Sequence, residues 1–159
     1  MIKEIAFPVV AIYIIASFLS LGYSAQAEPM PDYYLGLGVR PGLIGTDSTS
    51  VVVDSKAKIA TLGDFTLSTR PSVMFGGGIT EARLPITAEV PVGSSVFPYA
   101  GLGFAYNTDD RQRIEAMVTG GVDIQVGKNL YVDVNLNVIS EDGIADVDAE
   151  LVFTLNYSL

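Results

Sequence analysis

The 159-residue sequence contains no cysteine, no histidine and no tryptophan. Without cysteine no disulfide can staple the fold, so packing and backbone hydrogen bonds must hold it. Without histidine the chain lacks the commonest general base near neutral pH and the commonest metal ligand, which removes most hydrolytic and metal-centred readings. Positive charge is scarce as well: 9 Lys and Arg stand against 18 Asp and Glu, a formal net charge of −9. A chain this acidic is poorly matched to a polyphosphate backbone, and nucleic acid is not expected as a partner.

Long apolar runs are also missing, with one exception at the N-terminus. Lys3 precedes an almost wholly apolar stretch from Ile5 to Leu21, and Ala25-Gln26-Ala27 follows it with the small residues of a cleavage site. This pattern predicts a secretory signal peptide over residues 1–27, cut before Glu28, with a retained N-terminal anchor as the alternative. Residues 28–159 are then long enough for one domain. After the leader no segment reaches the roughly 18 consecutive apolar residues of a membrane helix.

What recurs instead is alternation with period two. In "LYVDVNLNVIS", Leu130, Val132, Val134, Leu136 and Val138 fall on one side and Tyr131, Asp133, Asn135 and Asn137 on the other. The same pattern runs through "YYLGLGVR", "VVVDSKAKIA", "FTLSTRPSVMF", "EARLPITAEV", "FPYAGLGFAYN", "IEAMVTGGVDIQV" and "DVDAELVFTLNYSL". These make about eight strands, each near the ~9–11 residues with which a tilted strand crosses a bilayer. Turn signals separate them: "PGLIGTDSTS", "LGD", "GGG", "PVGSS", "NTDDRQR", "GKN" and "EDGIAD". Hairpins this close in sequence predict an all-β, eight-stranded antiparallel up-and-down barrel.

Periodicity alone does not say which face is inside. A secreted lipocalin-like carrier would bury the apolar face around a small hydrophobic ligand, whereas a transmembrane barrel turns that face to lipid. Two features favour the second. Glycines fall mainly on the polar face, at Gly36, Gly38, Gly101, Gly103 and Gly121, where a narrow lumen needs small residues beside long ones. The polar face also mixes charge signs: Arg40, Lys56, Lys58, Arg70 and Arg83 accompany Asp54, Glu81, Glu89, Glu115, Asp123, Asp133, Asp148 and Glu150. Charges in a lumen must pair, which predicts a cross-lumen network with Arg40 reaching Asp148 or Glu150.

The leader, "FPYAGLGFAYN", "GGVDIQVGKNLYVDVNLNV" and the terminal "FTLNYSL" together resemble the small outer-membrane β-barrel superfamily, of OmpA-like and opacity-protein-like type. The resemblance implies a Gram-negative-type outer membrane, lipid as the surrounding phase and help from a barrel-insertion machinery. It also implies an alternating C-terminal strand ending in an aromatic residue; here the alternation runs through Phe153, Leu155 and Tyr157 but the last residue is Leu159. An aromatic girdle would draw on Tyr33, Phe65, Phe75, Phe97, Phe104, Tyr106, Phe153 and Tyr157.

Catalytic and ligand-binding signals are thin. A hairpin centred on Lys128 brings Asp123 opposite Asp133, a pairing that could serve acid–base chemistry but that strand register produces by itself. Asp146, Asp148 and Glu150, with Glu141 and Asp142, could gather Ca²⁺, or form a solvated acidic loop. "GLG" and "FGGG" lack the strand–turn–helix context of a nucleotide loop. The expectation is therefore a monomeric, non-enzymatic barrel with no cofactor and no metal, serving a structural or surface role and showing at most weak porin activity. Adhesion through the loops is a third possibility.

Overall fold

A computed structural model describes residues 30–42, 48–108, 113–141 and 146–159. The predicted leader lies outside the described residues. Among those described are nine strands: β1 (Tyr33–Arg40), β2 (Ser50–Leu62), β3 (Phe65–Thr69), β4 (Ser72–Gly76), β5 (Ile79–Glu89), β6 (Val96–Asn107), β7 (Ile114–Gly127), β8 (Leu130–Glu141) and β9 (Asp146–Ser158). Each pairs antiparallel with its neighbours, and β1 pairs with both β2 and β9, so the sheet closes on itself. Closure satisfies both edges of every strand, the condition for backbone in a medium without water.

The barrel has eight staves, because β3 and β4 share one. "FTLSTRPSVMF" reads as a single strand, yet the structure interrupts it at Arg70-Pro71. Pro71 has no N–H for the ladder, and Pro85 on the neighbouring stave has none either. The polar groups left over still find partners: Ser55 N donates to the Pro71 carbonyl at 3.0 Å and Arg70 N to the Pro85 carbonyl at 3.1 Å. Two further irregularities, between Lys58 and Ala60 and between Gln125 and Gly127, bend β2 and β7 near the same end of the barrel.

Tight turns join the staves at that end, at Gly63-Asp64, around Gly93 and at Lys128-Asn129; we call it the turn end. The opposite, loop end carries the connections after β1, β6 and β8. It also carries a two-residue turn in which Gly77 and Gly78 have φ of +61° and +81°, a left-handed conformation that favours glycine.

The faces sort as the transmembrane reading requires. Leu37, Leu84 and Phe104 project outward and are 61%, 58% and 62% exposed, while Lys56, Asp123 and Asp133 point inward and are 2%, 1% and 1% exposed. Outward apolar side chains continue around the barrel through Leu35, Ile86, Leu102, Leu136 and Leu155. A continuous apolar belt of this kind is not tolerated in water and is the normal contact surface with acyl chains. The lipocalin-like arrangement, with Val132, Val134 and Leu136 around a central cavity, does not occur. Val118 and Val138, cross-strand partners on the outward phase, are buried. Phe97, expected in the girdle, is fully buried inside the turn end against Tyr131, their ring centroids 6.2 Å apart. It sits one residue from outward Val96 in a strand that alternates, so phase and not residue type decided its side.

Candidate functional site: the charged lumen

Alternation sends every second side chain of the eight staves toward the axis, and closure brings residues distant in sequence within bonding reach. Two groups of charges result. In the turn-end half, Lys56 Nζ lies 2.5 Å from Glu89 Oε2, with both side chains fully buried. Arg70, delivered at the β3/β4 break, is the hub of this group. Its Nη2 lies 2.6 Å from Asp123 Oδ2 and 3.2 Å from Glu89 Oε2, its Nε donates to Thr87 Oγ1, and its Nη1 donates to Tyr34 Oη. The guanidinium also stacks 3.6 Å from the centre of the Tyr99 ring. Tyr34 Oη in turn donates to Asp123 Oδ1 at 3.2 Å.

Asp123 and Asp133 are cross-strand partners. Only Asp123 takes Arg70. Asp133 accepts from Tyr99 Oη at 2.9 Å and from Asn135 Nδ2 at 2.7 Å. Asn137 Nδ2 continues the ladder to Asn135 Oδ1 at 2.7 Å. Gly121 makes room for this arrangement, since a Cβ there would lie 2.6 Å from Tyr99 Oη.

In the loop-end half, Glu150 on β9 is the hub. It accepts from Arg40 on the adjacent β1 and from Arg83 on the far side of the lumen. Arg83 also holds Glu81, and Arg40 Nη2 donates to Ser50 Oγ at 3.0 Å. Each oxygen of Glu150 takes one guanidinium, and these charge-assisted hydrogen bonds offset part of the cost of burying the three charges.

The thirteen lumen charges expected from sequence are therefore unevenly placed, and Asp54 stands apart, lining the central cavity and accepting from Thr154 Oγ1 at 3.2 Å. Arg40, Lys56, Arg70, Glu81, Arg83, Glu89, Asp123, Asp133 and Glu150 lie in the two groups above. Lys58 does not join them: it stands at the turn-end rim and pairs with Asp32 at 2.9 Å, both half-open to solvent. The bulge at Ile59 ends the regular stave there and leaves Lys58 at the mouth. Glu115 and Asp148 occupy inward phases near the loop end and are half-buried. Asp142, part of the Ca²⁺ reading, lies outside the described residues, as do the side chains of Glu141 and Asp146; Glu150 is engaged by arginines. Among the described residues no group of three carboxylates could hold a metal ion.

Sequence reasoning missed the apolar residues of the lumen. Val52, Met74 and Val152 touch one another inside the barrel, and Ala105, Met117 and Ile139 form a second cluster. All six sit on inward phases among polar neighbours, so a closer count of Val52 and Val152 against their strand phase would have found them. Between the two charge groups a cavity of about 30 Å³ remains, lined by Asp54, Arg70, Arg83, Asp133, Asn135 and Thr154 among others. It has room for about one or two water molecules and none for a carrier's ligand.

No family model and no curated protein matches this chain in sequence. Solved structures match it in fold. A de novo designed transmembrane β-barrel superimposes with a TM-score of 0.62 over 84% of this chain and all of its own, at 16% identity. The chain has the small outer-membrane barrel fold. The Yersinia pestis outer membrane protein Ail gives a TM-score of 0.57 at 9% identity, covering 80% of this chain and 99% of Ail. The outer membrane enzyme PagL gives 0.50 at 14% identity, covering 79% and 96%. At these identities the likeness concerns the backbone. The lumen described above belongs to this sequence.

Proposed function

We propose that the protein is a monomeric outer-membrane barrel of a Gram-negative-type bacterium, exported by its leader, with a structural or surface role and a lumen held shut by its ion-pair network. The observation that carries this reading is the sorting of faces: apolar residues form the outer belt, while Glu150 with its arginines and Arg70 with its acids cross the axis. An eight-stave lumen is about filled by its own side chains, so steady flow of solutes requires moving those bridges. Porin activity is at most weak and transient. In this reading the protein has no catalytic role and no cofactor: it lacks histidine, and Glu81, Asp123, Asp133 and Glu150 are each held by guanidinium, hydroxyl or amide partners. Its surroundings are outer-membrane lipid, reached with help from an insertion machinery.

Expression in a Gram-negative host followed by fractionation tests this. The protein should stay with the outer membrane, need detergent for extraction and migrate differently on a gel before and after heating. Planar bilayers should show no sustained open level. A freely soluble periplasmic pool overturns the membrane assignment, and a stable conductance overturns the closed lumen.

A further inference from the structure

Two oxygens in the lumen, Asp54 Oδ1 and Asn156 Oδ1, are sealed from solvent without a hydrogen-bond partner. Register brings them together: Gly36 on β1 is the cross-strand partner of Asp54 on β2 and of Asn156 on β9. Since Gly36 has no side chain, its two neighbours reach over it. A Cβ there would lie 1.5 Å from the Asn156 oxygen and 2.3 Å from the Asp54 oxygen, so the two oxygens stand within about 4 Å of one another. The two groups themselves fill the space over the glycine, and neither water nor a metal ion fits between them.

The other ends of the same groups meet at Thr154. Asn156 Nδ2 donates to Thr154 Oγ1 at 3.0 Å, and that hydroxyl donates to Asp54 Oδ2 at 3.2 Å. Carboxyl, hydroxyl and amide thus form a closed ring of three contacts. With Asp54 ionised only two hydrogens serve that ring, one from the amide and one from the hydroxyl. Turning the amide over moves the bare acceptor–acceptor contact to Thr154 and does not remove it. Two acceptors left facing each other without water carry the full cost of their burial. A third hydrogen closes the ring, and of the three groups only the carboxyl can take one up. The neighbouring cations are engaged elsewhere: Lys56 by Glu89, Arg70 by Asp123 and Glu89, Arg83 by Glu81 and Glu150, and Arg40 by Glu150. Asp123 and Asp133 add only further acid to this part of the lumen.

We propose that Asp54 stands in the folded barrel as a neutral carboxylic acid whose proton completes the ring, and that the ring clamps β2 to β9 across β1, the stave that closes the cylinder. The proton lies on Oδ1 toward Asn156. With the amide reversed it lies on Oδ2 toward Thr154, and the acid is neutral either way. Gly36 is what permits the clamp, because any side chain there pushes the two groups apart. The clamp rests on the register of the seam and not on whether the lumen conducts.

In the full barrel, labelled with carbon-13 and folded in detergent micelles at neutral pH, the Asp54 carboxyl carbon should resonate at the shift of a protonated carboxyl. The infrared spectrum should show a carboxylic C=O stretch that weakens in Asp54→Asn. Asp54→Asn should also keep close to the wild-type urea midpoint, since its amide can donate to Asn156 Oδ1 while its oxygen accepts from Thr154, whereas Asp54→Ala should unfold at lower urea. A carboxylate shift at Asp54 overturns the proposal, including the case in which the amide has turned to an ionised Asp54 and cavity water completes it. An undiminished infrared band in folded Asp54→Asn overturns the neutral acid, and an Asp54→Asn barrel no more resistant to urea than Asp54→Ala overturns the clamp. Should neither variant fold, the wild-type carbon-13 shift decides: a protonated carboxyl supports the proposal and a carboxylate refutes it.

Discussion

Replacing Arg70 with methionine is the sharpest perturbation of the lumen. Methionine fills much of the same volume and leaves the stave break untouched, so the change isolates the guanidinium. Glu89 would retain Lys56 at 2.5 Å. Asp123, 1% exposed, would be left with the hydroxyl of Tyr34 alone. A buried charge stripped of its partner costs about 3–5 kcal/mol. Losing the stacking on Tyr99 adds roughly 0.5–2 kcal/mol, which the packing of methionine partly offsets. The expected destabilisation is thus about 3–5 kcal/mol, dominated by Asp123. Combining Arg70→Met with Asp123→Asn removes both charges, and should recover most of that loss, leaving the double variant within about 1–2 kcal/mol of wild type. With no tryptophan in the chain, urea unfolding in vesicles is best followed by far-ultraviolet circular dichroism and by the mobility of unheated protein on a gel. A single variant that loses under about 1 kcal/mol, or a double variant as unstable as the single, refutes the assignment of Arg70 as the partner that makes Asp123 tolerable.

Glu150→Gln should destabilise the barrel by about 3 kcal/mol, because it takes the carboxylate from Arg40, left with the Ser50 hydroxyl, and leaves Arg83 with Glu81 alone, and should raise brief conductance events in planar bilayers if the loop-end group is what closes the axis. Leu37→Arg on the outer belt should cost about 2–4 kcal/mol of folding free energy in vesicles if it sits near the bilayer midplane, falling toward zero near an interface; a soluble barrel would accept it at little cost. Gly121→Val should push Tyr99 off Asp133, since even a Cβ would lie 2.6 Å from the hydroxyl, and the loss should appear as a lower urea midpoint with unchanged outer-membrane localisation. Gly78→Ala, at φ +81° in the two-residue turn, should cost about 1 kcal/mol without altering the lumen, measured by the same unfolding assay.

Much of the lumen was legible from phase and register. Asp123 opposite Asp133 needs more than the turn: Gly127 pairs with Leu130, a register that would carry Asp123 to Val134, and the bulge between Gln125 and Gly127 shifts it by one residue onto Asp133. The contact of Arg40 with Glu150 joins neighbouring staves, and only closure makes β1 and β9 neighbours. Arg83 on Glu150 and Arg70 on Asp123 cross the axis, so no hairpin register reaches them; they depend on the stagger and curvature of the whole cylinder. The departure of Lys58 to the rim had no strong local signal, since a bulge decides it, whereas the inward side of Phe97 follows from its sharing a phase with Tyr99.

The sequence by itself determined the period of two, the sites of the turns and therefore which side chains share a face, because successive residues of an extended backbone point to opposite sides whatever surrounds them. Tertiary structure alone decided that the shared apolar face looks outward, which acid meets which base across the axis, and that Asp54 and Asn156 confront each other over Gly36. Those outcomes depend on distances between staves far apart in the chain, and such distances exist only once the sheet has closed.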